Sequence, residues 1–557
     1  MRHQTYKQPL FWFAAVCVLM LTVYPLGWLF YGSISRRAGG LTLNHYADAF
    51  TAVSNIQTIW NSIQLVLWSI PFALVMGVFS AVTVARLDIP FKGIVRASSI
   101  VAFVSPPWVG AIAYAYLMSP NAGGINLIID QLIGVKPFNI FSMGGMVFCT
   151  ILFLYPYMFL TTLSALENID SSYEEAAITT GCSPVRTLAT ISIPLITPAL
   201  ITCTIFSIIM VWSLYSVPAL LGMPSKIYVF ATYLFFLLGG FPPRIELASA
   251  IAIIFAVIAG LMVWLGFRLV RQAQIGRFQV VGGKGHKRLN LSAGKLRLPI
   301  ALVNLLIILI AIILPYVVVV YLSFSSDIYN FSLSFTLAHH LGELGAPAML
   351  RIIGNTLVLA LATAVLGSAI ALVIAFFDLR MPSKSSAFVS ALAMFPVAIP
   401  SVAFVIGVMW GWIQPPVVLY GTLLIMVFAQ VARFLPLATQ HFRDGLNQIH
   451  VSLEEAACVC GASRFQTLQK VSIPIIRPVL IATLLLLFMS SMRDLITPIF
   501  LGTGTPSTTV MSSRIFFMWT EGEISRAAAG TVHFIVLMAA IYFVCWLLLR
   551  KSGVKII

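Results

Sequence analysis

Long apolar stretches alternate with short polar ones from one end of the chain to the other. Runs of about 20 residues, the length that crosses a bilayer, lie near 10–31, 58–85, 98–118, 144–165, 199–221 and 245–267. A second set lies near 299–322, 352–376, 386–410, 418–440, 479–501 and 528–549. The pattern predicts an all-α polytopic membrane protein with six plus six spans. Several runs hold Gly or Pro, which membrane helices tolerate where neighbours satisfy the freed backbone groups. The stretch 386–440 is the hardest to divide.

Composition agrees with this reading. Of 557 residues, 60% are hydrophobic and 9% charged, and the mean hydropathy is +0.99. A soluble domain carries about 25% charged residues. Lys and Arg gather near both ends and in 86–97, 268–297 and 441–477, which places both termini in the cytoplasm. The net charge of +16 then reflects topology and contact with anionic lipid. No nucleic-acid motif accompanies it, and nucleic acid is not expected as a partner. The basic start and the apolar run at 10–31 lack a small-residue cleavage site, so they read as a first membrane helix. Cys17, Cys149, Cys182, Cys203, Cys458, Cys460 and Cys545 fall in membrane or cytoplasmic segments, and no disulfide framework is expected. Cys458 and Cys460 diverge on a helix and make a poor metal pair.

The chain is written twice. Residues 174–198 read EEAAITTGCSPVRTLATISIPLITP, and residues 454–478 read EEAACVCGASRFQTLQKVSIPIIRP. Pro156 matches Pro436, and Leu221-Gly222 matches Leu501-Gly502, at the same offset. Upstream the offset drifts: Asp88 matches Asp378, and Thr42-Leu43-x-His45 matches Thr336-Leu337-x-His339. The division is a first domain at 1–268, a basic cytoplasmic linker at 269–298 and a second domain at 299–557. An even number of spans per half implies parallel repeats, with a substrate path near their interface.

Each repeated segment predicts a short helix–turn–helix. Ser172 with Glu175, and Ser452 with Glu455, are spaced as capping boxes. Gly181 and Gly461 suit the left-handed residue that ends a helix. Ser183 and Ser463 cap a second helix, with Pro184 at its first position and Gln466 completing a box in the second copy. Pro194 and Pro474 are expected to stop these helices before the next span. Helices so short need something to pack on, either their own bundle or a cytoplasmic partner.

EEAA, then Gly181, then Ile193-Pro194, with the second copy, resembles the EAA loop of permease subunits of bacterial ABC importers. The six-plus-six arrangement resembles most the fused permeases of ferric-iron type. Trp519-x-Glu521-Gly522-Glu523 followed by Arg526-Ala-Ala-Ala529 is similar to that group as well. The resemblance implies a type I ABC importer permease fold in the bacterial inner membrane. It implies ATPase-coupling roles for Glu174, Glu175, Ala176, Ala177, Gly181 and Pro194, and for Glu454, Glu455, Ala456, Ala457, Gly461 and Pro474. It also implies two copies of a cytoplasmic ATPase subunit, which hold ATP and Mg, and an external substrate-binding protein. Transport would proceed by alternating access.

The chain itself has no phosphate-binding loop, since Gly282-Gly283-Lys284-Gly285 lacks that frame, and no hydrolase motif stands out. No catalytic residue, bound cofactor or metal site is expected on it. Candidates for the translocation path follow each repeated loop: Ser213, Tyr215 and Ser216, then Ser490, Ser491, Arg493 and Asp494. Charge within a span is costly and suggests function or bundle locking. Arg493 and Asp494 are adjacent and need separate partners, whereas Arg433 near Pro436 reads as snorkelling or bundle-locking. His339, His340 and Glu343 have metal-like spacing, but their match to the first repeat favours an external scaffold. Two other readings are the same importer class carrying a phosphonate, sugar phosphate, thiamine or polyamine, and a secondary transporter or channel.

Overall fold

The computed structural model describes residues 9–36, 39–274, 291–328 and 334–551. Most of the expected linker falls outside these residues. The described residues are almost wholly helical, as apolar runs without alternating polarity require.

Among the described residues nine helices are long and apolar enough to cross a membrane: Pro9–Ile34, Val53–Arg86, Met143–Glu167, Pro184–Trp212, Ile245–Gly266, Gly294–Phe324, Met349–Arg380, Leu423–Asn447 and Ile524–Val544. The expected third span of each half is broken. Lys92–Val104 turns into Pro107–Leu117 through 97°, and Lys384–Ala398 into Ser401–Trp412 through 114°. The straight spans expected at 98–118 and 386–410 are corrected accordingly. Pro106, Pro107, Pro396 and Pro400 sit at these breaks, where a missing N–H and a fixed φ end a helix. The expected span at 479–501 is likewise interrupted after Met492, and resumes at Ile496–Leu501.

Pro194 does not stop its helix, whereas in the second copy the helix ends at Ile475, one residue past Pro474. A π-turn, Leu188–Ser192 or Leu468–Ser472, ends two residues before each proline. The first helix therefore runs unbroken from Pro184 to Trp212. Pro25 and Pro315 follow the π-turns Leu19–Val23 and Leu309–Ile313 in the same way. In each wider turn an amide bonds the carbonyl five residues back, as Ile193 does to Leu188, and the extra width makes room for the proline ring. In the second copy the chain bends later, by 73° between Leu468–Ile475 and Arg477–Met492.

The chain packs into two compact units, and neither is one half of the sequence. One comprises Thr51–Tyr233 and Val257–Thr336. In it Val53–Arg86 lies along Met143–Glu167, so close that a Cβ on Gly77 would sit 2.5 Å from the Met158 Cβ. Small residues permit such approach between membrane helices. Gly294–Phe324, from the second repeat, packs on Pro107–Leu117, where the Tyr114 hydroxyl donates to the Ile310 carbonyl at 2.6 Å. Val84, Phe159, Leu163, Leu166, Ile308 and Ile312 form its inner core.

The other unit comprises Met1–Phe50, Leu234–Ala256 and Leu337–Ile557. Here Met349–Arg380 pairs with Leu423–Asn447. Pro9–Ile34, from the first repeat, packs on Ser401–Trp412, where the Tyr24 hydroxyl donates to the Gly411 carbonyl at 2.7 Å. A Cβ on Gly407 would meet the Pro25 carbonyl oxygen at 2.6 Å. The repeat boundary and the packing boundary therefore differ: the first helix of each repeat is built into the unit that holds the body of the other.

Candidate functional site: the two EEAA loops

Each loop begins with a short helix, Ser172–Thr179 or Val451–Val459. The expected capping boxes of Ser172 and Ser452 do not form. The amide of Ser172 instead donates to the Asp170 carboxylate at 3.0 Å, and that of Ser452 to His450 Nδ1 at 3.3 Å. A side chain two residues upstream reaches the first free amide sooner than the helix's own serine does. Ser171 donates to Glu175 at 3.1 Å.

The helix ends are as the glycines demand. Gly181 and Gly461 have φ of +90° and +87°. The amide of Cys182 bonds the Ala177 carbonyl and that of Gly181 the Ile178 carbonyl, at 3.0 and 2.9 Å. Ala462 and Gly461 repeat this with Ala457 and Cys458 at 3.0 Å each. This is the paired closure that absorbs orphan carbonyls at a helix end. The second helices start as expected. Ser183 accepts from the Arg186 amide at 3.4 Å, and Ser463 and Gln466 form a reciprocal box at 3.2 and 2.8 Å.

The two glutamates of each EEAA face opposite ways. Glu175 and Glu455 are exposed, as are Ala176, Ala456, Gly181 and Gly461. Glu174 and Glu454 are buried, at 0% and 2% exposure. The Arg86 Nε donates to Glu174 Oε1 at 2.8 Å, and Ser192 donates to the same oxygen at 2.5 Å. In the second copy Arg380 pairs with Glu454 at 2.7 Å, and Ser472 donates to Glu454 at 2.9 Å. Each arginine also donates to a carbonyl near the end of the fourth span, Leu166 or Leu446, at 2.6 Å. Ala177 and Pro194 pack inward or half-inward, as does Ala457, while Pro474 is exposed. Apolar side chains stand out beside the exposed glutamates: Tyr173 and Val185 in one loop, Leu453 and Val459 in the other.

Sequence reading missed Arg86 and Arg380. Each lies some ninety or seventy residues from its glutamate, and only its matching place at the end of a second span marked it. Ser192 and Ser472 stood in the repeated Ser-Ile-Pro and were legible as a pair.

The path candidates divide. Ser213 and Arg493 occupy the same repeat position, just past the helices Ile193–Trp212 and Arg477–Met492, and are half-buried. Tyr215, Ser216 and Ser490 are buried. Asp494 and Ser491 belong to a polar network. Arg433 donates to both Asp494 oxygens at 3.0 Å and to Thr497 at 2.9 Å. Gln430 donates to Asp494 at 3.2 Å and accepts from Ser491 and from Thr363, the latter at 3.0 Å. Arg433 is thus a bundle lock, and its partner is Asp494.

The histidine motif is a repeated scaffold. The Thr42 amide bonds the Ile34 carbonyl at 2.7 Å, and Thr336 bonds Phe324 at the same distance. Glu343 is buried against Arg526 at 2.5 Å and Arg514 at 3.4 Å, and His340 meets His533 at 3.0 Å. Among the described residues no three His, Cys, Asp or Glu side chains converge on a metal position.

Comparison with known proteins adds a family. That described as "Binding-protein-dependent transport system inner membrane component" matches residues 54–274 and 365–556. The ferric transport system permease protein FbpB of Actinobacillus pleuropneumoniae is 26% identical over 85% of this chain and 68% of its own length. A second protein, the putative ferric transport system permease protein FbpB 1 of Haemophilus influenzae, is 25% identical over 77% of this chain and 68% of its own. The sulfoquinovosyl glycerol transport system permease protein SmoG of Agrobacterium fabrum is 26% identical over 37% of this chain and 70% of its own.

Proposed function

This chain belongs to the family of binding-protein-dependent transport system inner membrane components, and from that premise we propose that it carries ferric iron as one half of an ATP-driven import machine. The chain is a multi-pass inner-membrane permease subunit of an ABC importer, with the two permease domains fused. Both termini lie in the cytoplasm in this reading, and the EEAA loops face the same side. Two copies of an ATPase subunit, holding ATP and Mg, dock there, one per loop. An external binding protein delivers the cargo on the opposite side.

One observation carries the docking assignment. Each loop holds its fold by buried bonds and still turns Glu175 with Tyr173 and Val185, or Glu455 with Leu453 and Val459, to the outside. Exposed apolar groups next to a charge are what a protein interface core and rim need. Ferric iron as cargo is supported by two relatives that span most of the chain and carry that name. Ser213 and Arg493, at equivalent helix breaks, line the path in this reading, with Tyr215, Ser216 and Ser490 behind them.

The test is uptake in membrane vesicles supplied with the binding protein and the ATPase. Radiolabelled ferric iron accumulates with ATP and does not without it. Glu175→Arg with Glu455→Arg releases the ATPase on purification. Accumulation of a sugar phosphate or phosphonate in place of iron would reassign the cargo and leave the importer class standing. Iron accumulation that persists without the ATPase would remove the ATP-driven reading.

A further inference from the structure

We propose that Arg86–Glu174–Ser192 and Arg380–Glu454–Ser472 are mechanical clamps, positioning residues that convert movement of each EEAA loop into movement of three membrane helices. The inference rests on the importer reading and deepens it, because it splits the EEAA pair into one glutamate that meets the partner and one that never does.

The geometry names the helices. Arg86 closes Val53–Arg86, the carbonyl of Leu166 lies at the end of Met143–Glu167, and Ser192 lies at the entry to Ile193–Trp212. Glu174, in the loop helix, joins Arg86 and Ser192, while the Arg86 guanidinium holds Leu166. One buried cluster thus ties the loop to the feet of three spans. The second repeat does the same with Arg380, Leu446, Glu454 and Ser472.

Two features set this apart from ordinary packing. First, the cluster is dry: the Arg86 and Glu174 side chains are 4% and 0% exposed, and those of Arg380 and Glu454 are 9% and 2%. A buried pair of opposite charge resists separation, because parting it leaves a charge uncompensated in low dielectric. A loop held this way moves as a rigid piece with its helices. Second, the sequence around the cluster has drifted between repeats. Arg86 and Arg380 are 294 positions apart, while the glutamates and serines are 280 apart. The same three side chains still meet in both units.

The buried glutamates cannot be docking contacts, and this separates the clamp from the docking surface experimentally. Glu174→Gln and Glu454→Gln are made in the full chain, co-expressed with its ATPase and reconstituted with the binding protein. Co-purification of the ATPase, ATP turnover and ferric-iron uptake are each measured. The clamp predicts that the ATPase still co-purifies and still turns over, while iron moved per ATP falls about tenfold. Arg86→Met and Arg380→Met, which remove the charge, lower the ratio to the same extent, and Arg86→Lys and Arg380→Lys, which keep it, lower it less, as a simple packing role would not.

Should the glutamine variants fail to reach the membrane, Ser192→Ala and Ser472→Ala keep the ion pair and carry the test, with a fall of about two- to threefold. An unchanged ratio of iron to ATP in all the variants that assemble overturns the clamp. Loss of ATPase co-purification in Glu174→Gln also overturns it, since that would make the glutamate a contact residue. If the wild-type chain neither binds an ATPase nor accumulates iron, the importer reading itself fails, and the clamp fails with it for a separate and visible reason.

Discussion

At the foot of one bundle Arg86 grips Glu174 at 2.8 Å, and at the foot of the other Arg380 grips Glu454 at 2.7 Å. Near the middle of the membrane helices this likeness ends. The second repeat places Arg433, Asp494, Gln430 and Thr497 in one hydrogen-bonded network. At the matching positions, offset by 280, the first repeat has Phe153, Leu214, Thr150 and Val217. There the Thr150 hydroxyl donates to the Met146 carbonyl of its own helix at 2.7 Å, and Leu214 and Val217 are buried apolar side chains. Duplication has kept the loop anchors and let the cores diverge. In the proposed reading an anchor repeats because each loop carries the same load, whereas a core needs only to fill its space.

The sharpest way to break this comparison is Asp494→Ala. It leaves Arg433 and Gln430 facing an empty place, and the expected loss is about 3–5 kcal/mol. Fluorescence-monitored melting in detergent reads it. Replacing Arg433→Met and Asp494→Leu together makes the pair apolar, as Phe153 and Leu214 are in the first repeat, and stability should return to within about 1 kcal/mol of the wild type or exceed it. A double variant as unstable as the single one would mean that the network holds more than itself.

The loops should respond alike. Neither Gly181 nor Gly461 has any atom within 4 Å of the place a Cβ would take, so Ala there meets only the backbone strain of a left-handed residue. The expected loss is about 1–2 kcal/mol for each, and the two values should agree. A smaller difference separates the second helices. Gln466→Ala breaks the reciprocal cap of the second loop and costs about 0.5–1 kcal/mol. The first repeat has Arg186 at that position, and Arg186→Ala should leave melting unchanged.

The least effect concerns acid. His340 stands where the first repeat has Tyr46, in a short helix between two spans. Burial, and then the neighbouring His339, push its imidazole below the ordinary value of 6.5. The folded chain holds it neutral at a pH where the unfolded chain is already protonated. Stability is therefore full above the unfolded value and is lost as pH falls through the folded one. Melting measured from pH 7.5 down to 5 should show this loss. His340→Tyr should flatten the acid side of the curve, and an unchanged slope would assign the sensitivity elsewhere.

Much of this protein is written in the local order of its residues. Spans, repeat and loop ends follow from apolar runs of fixed length, from internal likeness, and from glycines such as Gly181 and Gly461 that few other residues could replace. Solvent explains why: in lipid backbone groups bond within their own helix, so hydropathy marks where chain lies in the membrane, though not the breaks near Pro106 and Pro400 or after Met492. The local order misjudged Pro194, because a π-turn two residues earlier makes room for the proline and no composition rule announces one; at Pro474 the expected stop before the next span comes one residue on. It also offered Arg493 and Asp494 as a pair of charges without saying which partner each would find. Folding alone decided that Asp494 meets Arg433 from another helix, that Glu174 turns inward while Glu175 turns outward, and that the first helix of each repeat joins the other repeat's unit. These outcomes depend on contacts between residues far apart in the chain, whose energy exists only once the helices have packed.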